Sequence, residues 1–247
     1  MNEQSAINKK AWEYRAYEFW TKSQGTPQEK AQDIIKNPFA SLKKHQQYFE
    51  QIAGKRIANL CGSNGRKAVP LSLLGGEVTV FDISEENKRY AMELAHFANT
   101  NIQYNVTDIY EIDVVKYGSY FDVLYLEGGI LHYFQDINRL MDILYALLKE
   151  GGQVILSDFH PLRRCLVDDY TKINYFDQQL QGGDLAYKSF FDEGEQKEFP
   201  EVSVRLFTLS EIINAVITSG FTFKQFEEHR GWNNENIPWE FTILATK

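Results

Sequence analysis

Apolar and polar positions along the 247 residues follow two different rhythms, and the change from one to the other falls near residue 54. Before it, apolar side chains recur at helical spacing. Residues 5–22 carry Trp12, Tyr14, Tyr17 and Trp20 among charges, which predicts one aromatic-rich helix. Thr26-Pro27-Gln28-Glu29 joins an N-cap threonine, a proline at the first helical position and a glutamate that can bond back to the cap, so a second helix starts there. Leu42, His45, Phe49 and Ile52 predict a third, stopped by Gly54.

Beyond residue 54 short apolar runs bounded by turn residues predict strands at 56–61, 77–82, 102–106, 121–126 and 153–157. Helical patterns lie between them. One runs from Gly65 to the Gly75-Gly76 stop, one begins at Ser84-Glu85-Glu86, whose cap and acids suit a helix N-terminus, and one covers 137–148. Such alternation is the pattern of a parallel sheet with helices on both faces. It breaks after Asp158: residues 160–205 hold Tyr170, Tyr175, Phe176, Tyr187, Phe190 and Phe191 among charges with no clear period. Thr208-Leu-Ser-Glu211 is a second capping box, starting a helix with Ile212, Ile213, Val216 and Ile217 that stops at Gly220. Strands at 222–226 and 240–245 end the chain. No helix fits between them, so they are expected to pair antiparallel through a long loop.

Composition narrows the class of protein. Hydrophobic residues make up 43% and charged residues 24%, enough apolar content for a packed core. The net charge of −8 comes without a run of Lys or Arg, which disfavours a nucleic-acid partner. Cys61 and Cys165 lack the paired spacing of a zinc site or a disulfide framework, so they are expected to be reduced thiols and no metal site is expected. The polar start and the lack of a long apolar stretch predict no membrane partner and a cytoplasmic location.

The candidate chemistry centres on the first strand-turn-helix. Gly62 and Gly65 allow a ligand close to the backbone, the following helix start offers unpaired N–H groups, and Asp82 ends the next strand, where an acid can accept both hydroxyls of a ribose. Asp82 can also serve in the cap of the next helix, and the glycine turn alone is common to doubly wound domains.

Asn59-Leu-Cys-Gly-Ser-Asn-Gly65, Val80-Phe-Asp-Ile-Ser84, Asn105-Val-Thr-Asp108, Phe121-Asp-Val-Leu-Tyr-Leu-Glu127 and Leu147-Leu-Lys-Glu-Gly-Gly152, in that order, resemble the class I S-adenosylmethionine-dependent methyltransferase family. That family usually opens its first motif with an acid and three alternating glycines. Here only Gly65 is kept, with Asn59, Cys61 and Ser63 at the other places. The resemblance implies an α/β fold with a doubly wound, seven-stranded, mostly parallel sheet and an antiparallel last strand. The length fits a single domain, divided into an N-terminal helical cap over 1–53 whose residues 1 to about 25 are expected to act as a lid, a cofactor-binding core over 54–158, a substrate-covering insertion after the fifth strand over 159–206, and a closing helix and strand pair over 207–247.

The resemblance further implies S-adenosylmethionine as cofactor. Asn59 and the turn Cys61, Gly62, Ser63, Asn64 and Gly65 would hold its methionine part, and Asp82, with Ile83 and Ser84, the ribose. Asp108 would take the adenine amino group with Thr107 and Ile109 beside the ring, and Glu127, Gly128 and Gly129 would line the floor where donor and acceptor meet. His132 and His160 each follow a strand and are the candidate bases, His160 opening the irregular segment. The expected activity is methyl transfer to a small-molecule substrate, mainly by proximity and orientation. Two rivals use the same fold. A nicotinamide-dependent oxidoreductase is weakened by the missing G-x-G-x-x-G pattern, and a non-catalytic cofactor-binding protein is supported by the altered first motif.

Overall fold

A computed structural model describes residues 1–166, 174–231, 233, 234 and 236–247; Tyr170, singled out in the irregular stretch, lies outside them. The N-terminal part forms α1 (Glu3–Glu13), α2 (Ala16–Gln24) and α3 (Pro27–Lys36), then a 3-10 segment, Phe39–Phe49. Strands and helices then alternate: β1 (Arg56–Leu60), α4 (Ala68–Leu73), β2 (Glu77–Asp82), α5 (Glu85–Phe97), β3 (Gln103–Val106), α6 (Val114–Tyr117), β4 (Phe121–Glu127), α7 (Ile137–Leu147) and β5 (Leu148–Phe159). The irregular stretch contains β6 (Leu180–Gly183), α8 (Glu193–Gln196) and β7 (Val202–Arg205), and the chain closes with α9 (Leu209–Thr218), β8 (Thr222–His229) and β9 (Glu240–Thr246).

Seven strands make one sheet in the order β3-β2-β1-β4-β5-β9-β8, while β6 and β7 form a separate two-stranded sheet. β9 runs antiparallel to both β5 and β8, as the missing helix between the last two strands predicts. The chain divides into two compact units, residues 1–112 with 182–202, and residues 113–181 with 203–247.

In the first unit β1, β2 and β3 are parallel, Leu60 beside Phe81 and Asp82 beside Val106, so their C-terminal ends lie together. Ile57, Ala58, Leu60, Val80 and Phe81 are buried, which accounts for the near-continuous apolar runs of strands covered on both faces. The predicted N-terminal helix is two helices. Tyr14 ends the first, and Arg15 takes a left-handed φ of 55°. No glycine or proline marks that break; Arg15 is fixed there by contacts, bonding Glu18 through Nε at 2.7 Å and Glu195 through Nη1 at 2.9 Å, over the Phe191 ring. Leu42, His45, Phe49 and Ile52 are all buried, as their spacing implies, but the segment 39–49 is 3-10 and kinks at Lys43, φ 52°.

The aromatic band packs on α5 and on segment 182–202. Trp20 and Tyr17 meet α5, and the other rings meet segment 182–202: Phe19 stacks on Tyr187 at 4.5 Å, Trp12 meets Tyr187 edge-on and Tyr14 meets Phe199 at 4.9 Å. Tyr187, 1% exposed, donates its hydroxyl to Tyr14 O at 2.7 Å. The N-terminal helices and this part of the insertion pack against each other.

In the second unit β4, β5, β9 and β8 lie side by side. α7 turns its Ile137, Leu140, Met141, Leu144 and Leu147 face inward. β5 starts at Leu148, earlier than expected, because the chain enters it directly from α7; the irregularity is absorbed around Gly151, φ 72°, with a register shift against β4. Among the described residues no helix is long and apolar enough to cross a membrane.

Candidate active site

The turn after β1 is built on backbone conformations that side chains resist. Cys61, Ser63 and Gly65 all have positive φ, 50°, 49° and 78°. These alternate positions are the ones where the resembling family carries glycine, so the turn is kept and only its residues differ. Gly62 serves packing within the turn instead, since a Cβ there would stand 2.7 Å from both Asn59 Oδ1 and Val80 Cγ1. At Gly65 a Cβ would come within 2.8 Å of the Ala91 Cβ, and this close approach seats the turn on α5. Asn64 is fully buried and Asn59 nearly so.

Asp82, at the end of β2, is the hub of this end of the sheet. Its Oδ2 accepts the Ser63 N–H at 2.9 Å; its Oδ1 accepts the Ser84 N–H at 3.0 Å and the Asn87 amide at 3.1 Å. Burial, with 7% exposure, pushes the carboxyl above the usual range, opposed by those donors, of which Asn87 is the strongest. Both readings of Asp82 therefore hold in part, since it holds the turn and also braces the start of α5, where Ser84 Oγ accepts the Asn87 N–H. Tyr104 on β3 donates to Ser63 O at 2.7 Å, and the Thr107 N–H donates to Asp82 O at 2.8 Å. Asp108 uses Oδ1 to cap the Ile109–Glu111 turn through the Tyr110 N–H.

Ser63 Oγ, Asn64 Nδ2 and Asp108 Oδ2 are buried and have no hydrogen-bond partner among the described residues. Leaving such bonds unmade costs about 1–3 kcal/mol each. The three atoms sit on the turn and beyond β3, the places the sequence assigns to a ligand, and offer the donors and acceptors that an amino acid head and an adenine amino group would engage. The residues present fit such a cofactor.

The second unit carries the remaining candidates. Glu127 ends β4, and Gly128 and Gly129 follow with φ of 99° and 72°. A Cβ at Gly129 would lie 2.3 Å from the Phe159 ring, so this pair is required by the turn itself. Asp158 accepts the Ile130 and Leu131 N–H groups on Oδ2 at 2.9 and 2.7 Å, and burial raises its carboxyl to about 6. His132 is pushed down to about 4 by burial and by the Arg163 guanidinium, so its ring is neutral at neutral pH. His160 is buried; its Nδ1 accepts the Leu162 N–H at 3.2 Å and its Nε2 lies 3.1 Å from Glu228 Oε1. Burial lowers its basicity and Glu228 partly restores it. Among the described residues no cluster of His, Cys, Asp or Glu could hold a metal ion.

A family model described as a methyltransferase domain matches residues 60–156. Over that stretch the chain is similar to a methyltransferase domain, and its seven-stranded sheet has the order β3-β2-β1-β4-β5-β9-β8 described above. Solved structures share the fold. An S-adenosylmethionine-dependent methyltransferase from Mesorhizobium loti aligns at 19% identity over 82% of this chain and 97% of its own, TM-score 0.60. One from Methanosarcina mazei aligns at 18% over 83% and 98%, TM-score 0.62. The magnesium protoporphyrin IX methyltransferase of Synechocystis, with bound S-adenosylmethionine, aligns at 12% identity over the whole chain and 98% of its own, TM-score 0.61.

In this chain the structure brings Ser63, Asp82 and Ser84 into one hydrogen-bonded group, with Cys61 in the same turn. It adds two residues that the sequence pattern does not single out. Asn87 sits at the third position of α5, where a capping box usually has Glu or Gln reaching back to the cap; here the amide reaches back to Asp82 instead. Tyr104 gives no signal beyond its place on β3.

Two consequences can be measured. A non-glycine residue in the left-handed region costs about 1–2 kcal/mol, against about 0.5–1 kcal/mol of extra unfolded-chain entropy for glycine. Cys61→Gly is therefore expected to stabilise the protein by roughly 0.5–1 kcal/mol in chemical denaturation, and a loss of stability would show that the turn is unstrained.

Asp158 holds its proton up to about pH 6 when folded but only to about pH 3.9 when unfolded. Stability from this group is therefore full below pH 4 and falls as pH rises to 6, by up to ~3 kcal/mol. Asp158→Asn is expected to remove this component, so the difference between variant and wild-type unfolding free energy should change between pH 4 and 7; a constant difference would contradict it.

Proposed function

We propose that this protein transfers a methyl group from S-adenosylmethionine to a small-molecule acceptor, with the cofactor held by the first unit. The observation that carries the reading is the set of buried polar atoms without partners, Ser63 Oγ, Asn64 Nδ2 and Asp108 Oδ2, beside a buried carboxylate at the end of β2 in a stretch similar to a methyltransferase domain. Asn59 and residues Cys61, Gly62, Ser63, Asn64 and Gly65 would hold the methionine part. Asp82, with Ile83 and Ser84, would hold the ribose, and Asp108 the adenine amino group between Thr107 and Ile109. Glu127, Gly128 and Gly129 are assigned to the acceptor side by the family resemblance.

The cofactor supplies an activated methyl on a sulfonium, so this chain's residues need only bind, align and exclude water. Orientation of bound reactants is worth about 7–11 kcal/mol of barrier. No general base is assigned: His132 is neutral and weakly basic, and His160 is buried in contacts of its own. The N-terminal helices serve as the lid, because Trp20 of α2 reaches α5 beside Asp82.

A small acceptor is supported by the net charge of −8, which repels polyphosphate, and by the Synechocystis neighbour, whose name gives a small acceptor. The nicotinamide reading has no comparable support, since the matching family model is that of a methyltransferase. The test is transfer of labelled methyl from S-adenosylmethionine into a cell extract separated into small-molecule, RNA, DNA and protein fractions, run with wild type and Asp82→Asn. Label is expected in the small-molecule fraction and lost with the variant, whose cofactor affinity should fall roughly tenfold to a hundredfold for one charge-assisted bond. Label mainly in a macromolecule would overturn the acceptor class.

A further inference from the structure

Asn87 stands between two side chains with fixed preferences. Its Nδ2 donates to Asp82 Oδ1 at 3.1 Å, and its Oδ1 accepts the Trp20 indole N–H at 2.7 Å. All three residues are buried, Asn87 at 1% exposure and Trp20 at 8%. An asparagine amide can flip by half a turn, exchanging donor for acceptor. An indole N–H can only donate, and an ionised carboxylate can only accept. Asp82 and Trp20 therefore impose the same orientation on the amide, NH2 to the carboxylate and oxygen to the indole. Removing the indole leaves the amide oxygen buried without its donor and the side chain held from one end only.

We propose that Trp20 and Asn87 are positioning residues for the cofactor, a relay by which docking of α2 sets the affinity of Asp82 for the ribose. The proposal rests on the assignment of Asp82 to the ribose. Asp82 Oδ1 receives the Ser84 N–H and the Asn87 amide and Oδ2 the Ser63 N–H; these donors aim the carboxyl and favour its ionised form against burial. Of the three, the Ser63 and Ser84 N–H groups are backbone and local. The Asn87 amide is the one tied to a residue 67 positions away in sequence.

Among the described residues, the other hydrogen bond from α2 to α5 is Tyr17 to Glu93 at 2.6 Å, further along the helix from Asp82. By reciprocity, whatever docked Trp20 contributes to cofactor binding, bound cofactor contributes to docking of the cap. The cap is thereby linked to the cofactor through Asn87 and Asp82.

The titratable groups about Asp82 come from four elements. Tyr104 on β3 is held neutral by burial and lies among Asp82, Cys61 of the turn, Glu85 of α5 and Glu13 of α1, whose Oε2 accepts the Glu85 N–H at 2.9 Å. Burial is what disfavours ionisation of Asp82, and its donors oppose that, the Asn87 amide first among them. Loss of the Asn87 donor should therefore move the acid limit of cofactor binding to higher pH.

The experiment is calorimetric binding of S-adenosylhomocysteine from pH 5 to 8 to the full chain, as wild type, Trp20→Phe, Asn87→Leu, the double variant and Asp82→Asn, with thermal unfolding of each. Trp20→Phe keeps a ring and removes the donor. Each single variant is expected to bind roughly threefold to tenfold more weakly, with the acid limb moved up in pH. The double variant should be no weaker than Asn87→Leu alone, because Trp20 acts only through Asn87.

Folded single variants with wild-type affinity and an unmoved acid limb, or losses that add in the double variant, overturn the relay if Asp82→Asn has lost affinity. If Asp82→Asn also binds as wild type, the ribose assignment itself has failed. A wild-type measurement stands beside these in case Trp20→Phe does not fold: the Trp20 indole N–H resonance is expected to shift and its hydrogen exchange to slow on saturation with S-adenosylhomocysteine. An unmoved resonance with unchanged exchange overturns the proposal.

Discussion

A carboxylate removed from water costs several kcal/mol unless hydrogen bonds replace its hydration, and in this protein that replacement organises the C-terminal ends of β1, β2 and β3. Asp82 draws the Ser63 N–H of the β1 turn, the Ser84 N–H at the start of α5 and the Asn87 amide onto one pair of oxygens. The turn can then hold Cys61 and Ser63 in a left-handed backbone that neither residue favours. Tyr104 and Thr107 bring the end of β3 to the same place. A single buried carboxyl group thus fixes the relative positions of a turn, a helix and a strand, and a ligand hydroxyl offered to Asp82 would join bonds that are already aimed.

This constraint explains why an altered glycine motif can keep its geometry. The family pattern relies on residues without side chains at three alternating positions; this chain keeps the backbone and changes two of the residues. The strain is tolerated because Ser63 is bonded on both sides, its N–H to Asp82 and its carbonyl from Tyr104. Gly62 and Gly65 are retained for a separate reason, since Asn59, Val80 and Ala91 leave no room for a Cβ.

The parts legible in the sequence are those whose determinants are local. β1 and β2 follow from buried apolar runs, and the capping boxes at Thr26 and Thr208 are both formed as their residues imply. The antiparallel close of the sheet follows from the lack of a helix before β9. What was not legible depends on distant partners. The break at Arg15 is imposed by Glu195 and Phe191 of the insertion, and no residue type at 14 or 15 announces it. The Asp192 and Glu195 capping box that starts α8 was present in an otherwise unpatterned stretch and could have been found. At the candidate site, Asp82 is marked by its place at the end of a strand and Asp108 by the family resemblance, whereas Asn87 and Trp20 matter only through each other and through Asp82.

The most direct measurement is a crystal structure of the protein with S-adenosylhomocysteine. The account predicts both ribose hydroxyls within hydrogen-bond distance of Asp82, the adenine amino group on Asp108 Oδ2, and the amino acid end against Ser63 and Asn64. A ligand bound elsewhere, with Asp82 bonded only to Ser63, Ser84 and Asn87, would contradict it.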